Sequence, residues 1–85
     1  MGLINKVVPY AELDKTVTEW AQRLATGPTP AISTAKRLIN QSLESSRQQA
    51  FIDEAFGQEL VSGSHDMQEG MKAFMERRDP EFKGW

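Results

Sequence analysis

SHDMQEGMKAFMERRDPEFKGW, residues 64–85, holds a helix with both ends marked and an aromatic tail that cannot continue it. Ser64 can cap the first turn, and Asp66 and Glu69 place negative charge where the helix dipole favours it. Met67, Met71, Phe74 and Met75 follow at i, i+4, i+7 and i+8, one face of a helix. Arg77 and Arg78 put positive charge at the far end, and Asp79-Pro80 stops the helix. Phe82 and Trp85 are left on a short tail, and a tail of this kind is expected to dock on something.

Working back towards the N-terminus, Ser46 with Gln49 fits the S-x-x-Q capping box and opens a helix that Gly63 ends. Phe51, Ile52, Ala55, Phe56, Leu60 and Val61 make its apolar arc wider than one buried stripe needs, so it should touch more than one neighbour. Phe51 and Phe56 are therefore interface candidates. Gly57 costs about 1 kcal/mol against alanine inside a helix; close approach of another helix explains it, and so does plain tolerance. Thr29-Pro30 reads as a helix start with an N-cap hydroxyl, followed by a stripe of Ala31, Ile32, Ala35, Leu38, Ile39 and Leu43. Lys36 and Arg37 beside it read as a solvated face. Leu13, Val17, Trp20, Ala21 and Leu24 form the first helical stripe, with Gly27 placed for a left-handed cap before Pro28. Residues 2–8 are rich in apolar and β-branched side chains and read as extended, needing a pairing partner elsewhere, or as a frayed terminus.

The expectation is a single all-α domain over residues 1–85. It has an extended segment at 2–8, helices at about 11–26, 30–44, 47–62 and 65–78, and an aromatic tail at 79–85. A globule of 85 residues would have a radius of gyration of about 12 Å and bury somewhat over 60% of its unfolded surface. That core is marginal, so help from a partner surface is expected. A net charge of −2 gives no electrostatic footprint for nucleic acid. No apolar run approaches the roughly 18 residues that span a bilayer, and no secretory pattern follows Met1. A cytoplasmic-type compartment is the default expectation.

The chain has no cysteine and one histidine, so thiolate zinc ligation is unavailable and no metal site is expected. His65 reads as an exposed first-turn residue. Glu54 and Glu59 have no neighbour in sequence that would raise a carboxyl towards neutrality, and read as solvated charges. There is no nucleophile triad spacing, phosphate-cradling glycine loop or metal motif. No residue is assigned as catalytic. The Met67, Met71 and Met75 face suits a core or an adaptable interface, with Met71 expected in the core.

Asp66, Glu69, Gly70, Ala73, Phe74, Arg77, Arg78, Pro80, Phe82 and Gly84 spell D-x-x-E-G-x-x-A-F-x-x-K/R-R-x-P-x-F-x-G. This resembles the C-terminal signature of the crotonase superfamily, the enoyl-CoA hydratases and isomerases. Gly2 to Pro9 is similar to that family's G-L-V-x-x-V-V-P, and Gly27-Pro28 with Lys36-Arg37 to its G-P-x-x-A-x-x-x-x-K-R helix. The resemblance covers the whole chain in order. It implies a C-terminal helical domain used for trimerisation, with a larger N-terminal domain supplying the oxyanion hole, most of the CoA site and the acidic catalytic residues.

The resemblance further implies an acyl-CoA substrate for the parent enzyme and no cofactor. Its partners would be a crotonase-type catalytic domain and further copies in a trimer or dimer of trimers, with no nucleic acid or membrane. Phe74 and Arg77 would lie near the CoA adenine end, often bound in a neighbouring subunit, the aromatic stacking on the purine and the cation meeting phosphate or a ring edge. The family more often has lysine where Arg77 stands. A buried Phe74 beside a helix-terminal Arg77 is the alternative. Gly70 would let another backbone approach the last helix, while Phe82 plugs the tail against the core and Trp85 helps dock it. The rival to this whole reading is a free-standing helical module that binds a peptide helix or an acyl chain. A self-contained bundle would not require the orphan segment at 2–8.

Overall fold

The computed structural model describes residues 2–85, and the fold is all-α, as the helical periodicities require. After an irregular stretch through Pro9 comes a 3-10 turn, Tyr10–Glu12, which leads into α1, Leu13–Ala25. Then follow α2 (Thr29–Ser42), α3 (Arg47–Ser62) and α4 (His65–Glu76). No strand forms among the described residues. Residues 2–7 are exposed.

Local chemistry accounts for most of these boundaries. Ser46 Oγ accepts from the Gln49 amide at 3.1 Å and Ser64 Oγ from the Met67 amide at 3.1 Å, so both serines cap their helices. Only half of the capping box closes, because the Gln49 side chain donates instead to Asp53 Oδ1 at 2.8 Å, one turn ahead. Thr29 is the first residue of α2, and Pro28 stands at the cap with no side-chain hydrogen bond. The expected threonine cap is therefore absent.

Gly27 is not left-handed either; α1 closes through Thr26, whose amide reaches the Gln22 carbonyl at 3.0 Å. The glycine has a steric reason instead. A Cβ there would lie 2.9 Å from Ile32 Cδ1 and 3.3 Å from the Arg23 carbonyl oxygen.

The helices do not close around a shared core. α2 packs along α3, while α1 touches α2 and α3 touches α4 more lightly. Gly57 is buried at the α2–α3 contact, where a Cβ would sit 3.0 Å from both Leu38 Cδ1 and Thr34 Cγ2. The close approach its sequence position suggests is thus made by side chains of α2.

The result is an open slab of 43 × 39 × 19 Å with a radius of gyration of 16.0 Å, well beyond the roughly 12 Å of a closed globule. Its accessible surface is 7586 Å², against about 5,100 Å² for a folded monomer of this mass. About 45% of the unfolded surface is buried, rather than over 60%. Met71, expected in the core, is 57% exposed, because it borders an open groove between α4, the start of α2 and the end of α3 and not a closed interior. Phe51 and Phe56 on α3 are 65% and 67% exposed.

Candidate functional site

One face of α4 receives the C-terminal tail. Asp66, Glu69, Gly70 and Ala73 fall at i, i+3, i+4 and i+7, so they share a stripe. Asp66 is 2% exposed. Its Oδ1 accepts the Lys83 amide at 2.7 Å and its Oδ2 the Gly84 amide at 2.9 Å, while its own amide donates to the Trp85 carbonyl oxygen at 2.9 Å. One turn on, Glu69 Oε1 accepts the Glu81 amide at 3.0 Å and Arg78 Nη1 at 2.6 Å, and Oε2 accepts Arg78 Nη2 at 3.1 Å. Arg78 also donates through Nε to Glu76 Oε2 at 2.6 Å. Two carboxylates thereby satisfy three amides of a segment with no regular secondary structure of its own.

The turn that leads into this tail is set by Arg77, not by Pro80. Arg77 is left-handed (φ 55°, ψ 42°), the only positive-φ residue other than glycine among those described. Its amide reaches the Phe74 carbonyl oxygen at 3.3 Å and the Arg78 amide reaches that of Ala73 at 3.0 Å. This is the two-bond closure that ends many helices, with arginine where glycine is usual. Gly84 is also left-handed (φ 87°), which turns the last residues back to His65. There the Trp85 and His65 rings lie with centroids 4.6 Å apart, tilted by 36°. His65 is accordingly half-buried rather than a free surface residue.

The electrostatics favour a charged clasp. Burial pushes the Asp66 carboxyl up, but the Lys83 and Gly84 amides and His65 outweigh it, leaving the group below its ordinary value. The Arg78 guanidinium, with the Glu81 amide behind it, holds Glu69 down at about 2. The same pairing, assisted by Glu76, raises Arg78 further above its usual value.

Beside the tail runs an apolar groove of about 330 Å³ between the start of α2, the end of α3 and α4. Pro28, Ala31 and Val61 form one side; Gly70, Phe74 and Phe82 form the other. Phe82 is half-buried, its ring edge 3.6 Å from where a Gly70 Cβ would lie, so Gly70 faces an aromatic side chain and not a second backbone. Phe74 is 85% exposed at this groove and so is no core residue of this chain.

Of the residues singled out from sequence, Gly70, Phe74 and Phe82 come together here, with Arg77 at the end of the same helix and Trp85 at the far end of the tail. Phe51 and Phe56 lie apart on α3; Phe56 borders a separate depression with Leu38 and Gly57. Sequence reasoning missed Asp66, Glu69 and Arg78 as tail ligands, reading them as helix-dipole charges. The available signal was the shared stripe of Asp66, Glu69 and Gly70 ahead of a tail that has to satisfy its amides. Among the described residues no group of three His, Cys, Asp or Glu side chains could hold a metal ion, and no helix is long and apolar enough to cross a membrane.

The sequence matches the enoyl-CoA hydratase/isomerase family over residues 1–85. The chain belongs to that family. A probable mitochondrial enoyl-CoA hydratase of Dictyostelium discoideum is 37% identical over 79 residues, covering 93% of this chain and 28% of its own length. A 1,2-epoxyphenylacetyl-CoA isomerase of Escherichia coli K12 is 37% identical over 84 residues, covering 98% and 32%. Among solved structures, an enoyl-CoA hydratase from Geobacillus kaustophilus HTA426 superposes with a TM-score of 0.90 at 38% identity, covering 99% of this chain and 32% of that one. This member of the enoyl-CoA hydratase/isomerase family thus spans about a third of the length of the relatives it matches.

Its signature residues also acquire physical roles. Asp66, Glu69, Gly70, Ala73, Arg77, Arg78, Phe82 and Gly84 build the clasp, the helix end and the tail's turn. Phe74 is the signature aromatic that the clasp leaves in solvent.

Proposed function

We propose that this chain is the C-terminal helical domain of an enoyl-CoA hydratase/isomerase-type enzyme, where it builds the oligomer and covers the acyl-CoA site. Catalysis would belong to the larger domain, whose backbone N–H groups hold the thioester enolate. On this reading the oxyanion hole and the water-activating pair are supplied outside these 85 residues, and the chain alone should not hydrate crotonyl-CoA. The reading takes an acyl-CoA as substrate, requires no cofactor, and places the catalytic domain and further copies of the enzyme against the exposed faces.

The observation that carries the reading is Phe74. It is a large aromatic at a signature position, on α4, at the lip of an apolar groove, and it faces solvent. Folding of this chain gains little from such a side chain, whereas a purine would gain a stacking surface from it. Arg77 lies three residues on at the helix end, where its cation can meet phosphate.

The test is Phe74→Ala in the full-length enzyme. KM for a CoA ester should rise with kcat nearly constant, since contacts remote from the reacting carbon act as uniform binding. The loss should be about 1–3 kcal/mol, the worth of one aromatic stack on a base. If Phe74 is instead buried against the rest of the enzyme, the variant loses about 3–5 kcal/mol of stability while KM stays unchanged.

A further inference from the structure

We infer that Asp66 and Glu69 are positioning residues for the CoA contact, fixing the Phe74–Arg77 edge through the tail they hold. The inference rests on the proposed role of Phe74 and Arg77 and deepens it, because neither carboxylate itself faces the nucleotide in that reading. Three observations carry it.

First, Arg78 ties the end of α4 back to Glu69 by two hydrogen bonds while its amide closes the helix on Ala73. The last turn, which carries Phe74 and hands over to Arg77, is therefore anchored two turns earlier. Second, Phe82 is held against Gly70 by the amides on either side of it, Glu81 to Glu69 and Lys83 to Asp66. Its ring lines the same groove as Phe74. Third, Arg77 is held left-handed, a conformation that non-glycine residues keep only when their surroundings impose it. The tail hydrogen bonds are the constraint at hand. Without them α4 can fray from its C-terminal end, and Phe74 and Arg77 lose their fixed separation.

Asp66→Asn and Glu69→Gln keep side-chain shape but replace one accepting oxygen by an NH2 donor, which breaks one clasp bond and removes the charge from the rest. They are made in the full-length enzyme together with Phe74→Ala/Arg77→Ala. We expect each amide variant to raise KM for a CoA ester by about three- to tenfold, the scale of one weakened contact. kcat should stay within about twofold, and in the Phe74→Ala/Arg77→Ala background the same changes should add nothing further. Glu69→Asp is a conservative control expected to recover part of the loss. If Phe74→Ala/Arg77→Ala raises KM but the amide variants do not, the positioning role is overturned and the contact stands. If the amide variants raise KM equally in both backgrounds, they act elsewhere and the inference also falls. If Phe74→Ala/Arg77→Ala leaves KM unchanged, both fall together. Should an amide variant fail to fold, Phe82→Leu, which loosens the tail without touching either carboxylate, is judged by the same criteria.

Discussion

In the proposed role, Arg77 would serve two demands that conflict. A left-handed backbone costs a side-chain-bearing residue about 1–2 kcal/mol, which glycine avoids. Arg77→Gly should therefore stabilise the end of α4 by about 1 kcal/mol, once the extra freedom glycine gains when unfolded is subtracted. A urea titration of this chain, followed by helical circular dichroism, should show the midpoint moving upward. In the full-length enzyme the same variant should bind CoA esters less tightly, because the cation is gone. A stabilised chain, with weakened binding in the enzyme, is the expected pair of results; a lowered midpoint would mean that the Arg77 side chain makes stabilising contacts within this chain that outweigh its backbone cost. Sequence could not show this tension. Asp79-Pro80 supplied a sufficient stop signal, and the backbone turn occurs three residues before Pro80.

At the scale of one element, α4 and its tail form a unit whose strength depends on pH. Both clasp carboxylates titrate lower in the folded chain than when free, Glu69 at about 2 and Asp66 below its ordinary value. A depressed carboxyl contributes stability that is complete above its unfolded value, about 4, and is lost as pH falls through the folded value. The tail should stay docked from neutrality to about pH 4 and detach as pH drops towards 2. His65 beside Asp66, Arg78 and Lys72 around Glu69, and Glu76 on Arg78 are the other titratable or charged groups at the clasp. Trp85 reports the event: in a Trp20→Phe background its fluorescence should change across that window, ahead of loss of helical signal. Detachment near pH 5 or 6 would mean the carboxylates are not the fasteners. The helices themselves were legible, since Ser46 and Ser64 cap within three residues of the amides they accept. The clasp was not, since its bonds join residues 9 to 18 apart, across a tail with no periodicity. Nor was the absence of a threonine cap at Thr29, where Pro28 and the following proline already set the backbone.

For the whole molecule, surface area decides the behaviour. The excess over a closed monomer of this mass is about 2,500 Å², several times the roughly 800 Å² that one partner contributes to an ordinary interface. Phe51, Phe56, Leu60, Met75 and the α1 stripe at Val17 and Leu24 are all part of it. On its own the chain should therefore self-associate and bind a hydrophobic dye; a compact, dye-silent monomer by sedimentation would contradict the open arrangement. The all-helical class was readable from four apolar stripes, but four stripes do not reveal whether the helices face one another, and here they largely do not. Principal contacts run between consecutive elements, so the molecule resembles a short repeat array in its connectivity. Local opening should differ from place to place along it. In hydrogen–deuterium exchange the Lys83 and Gly84 amides, although in a segment without helix or strand, should exchange more slowly than amides in the exposed α1, because each is locked onto a buried carboxylate. The slowest-exchanging sites would then include residues that carry no regular secondary structure at all.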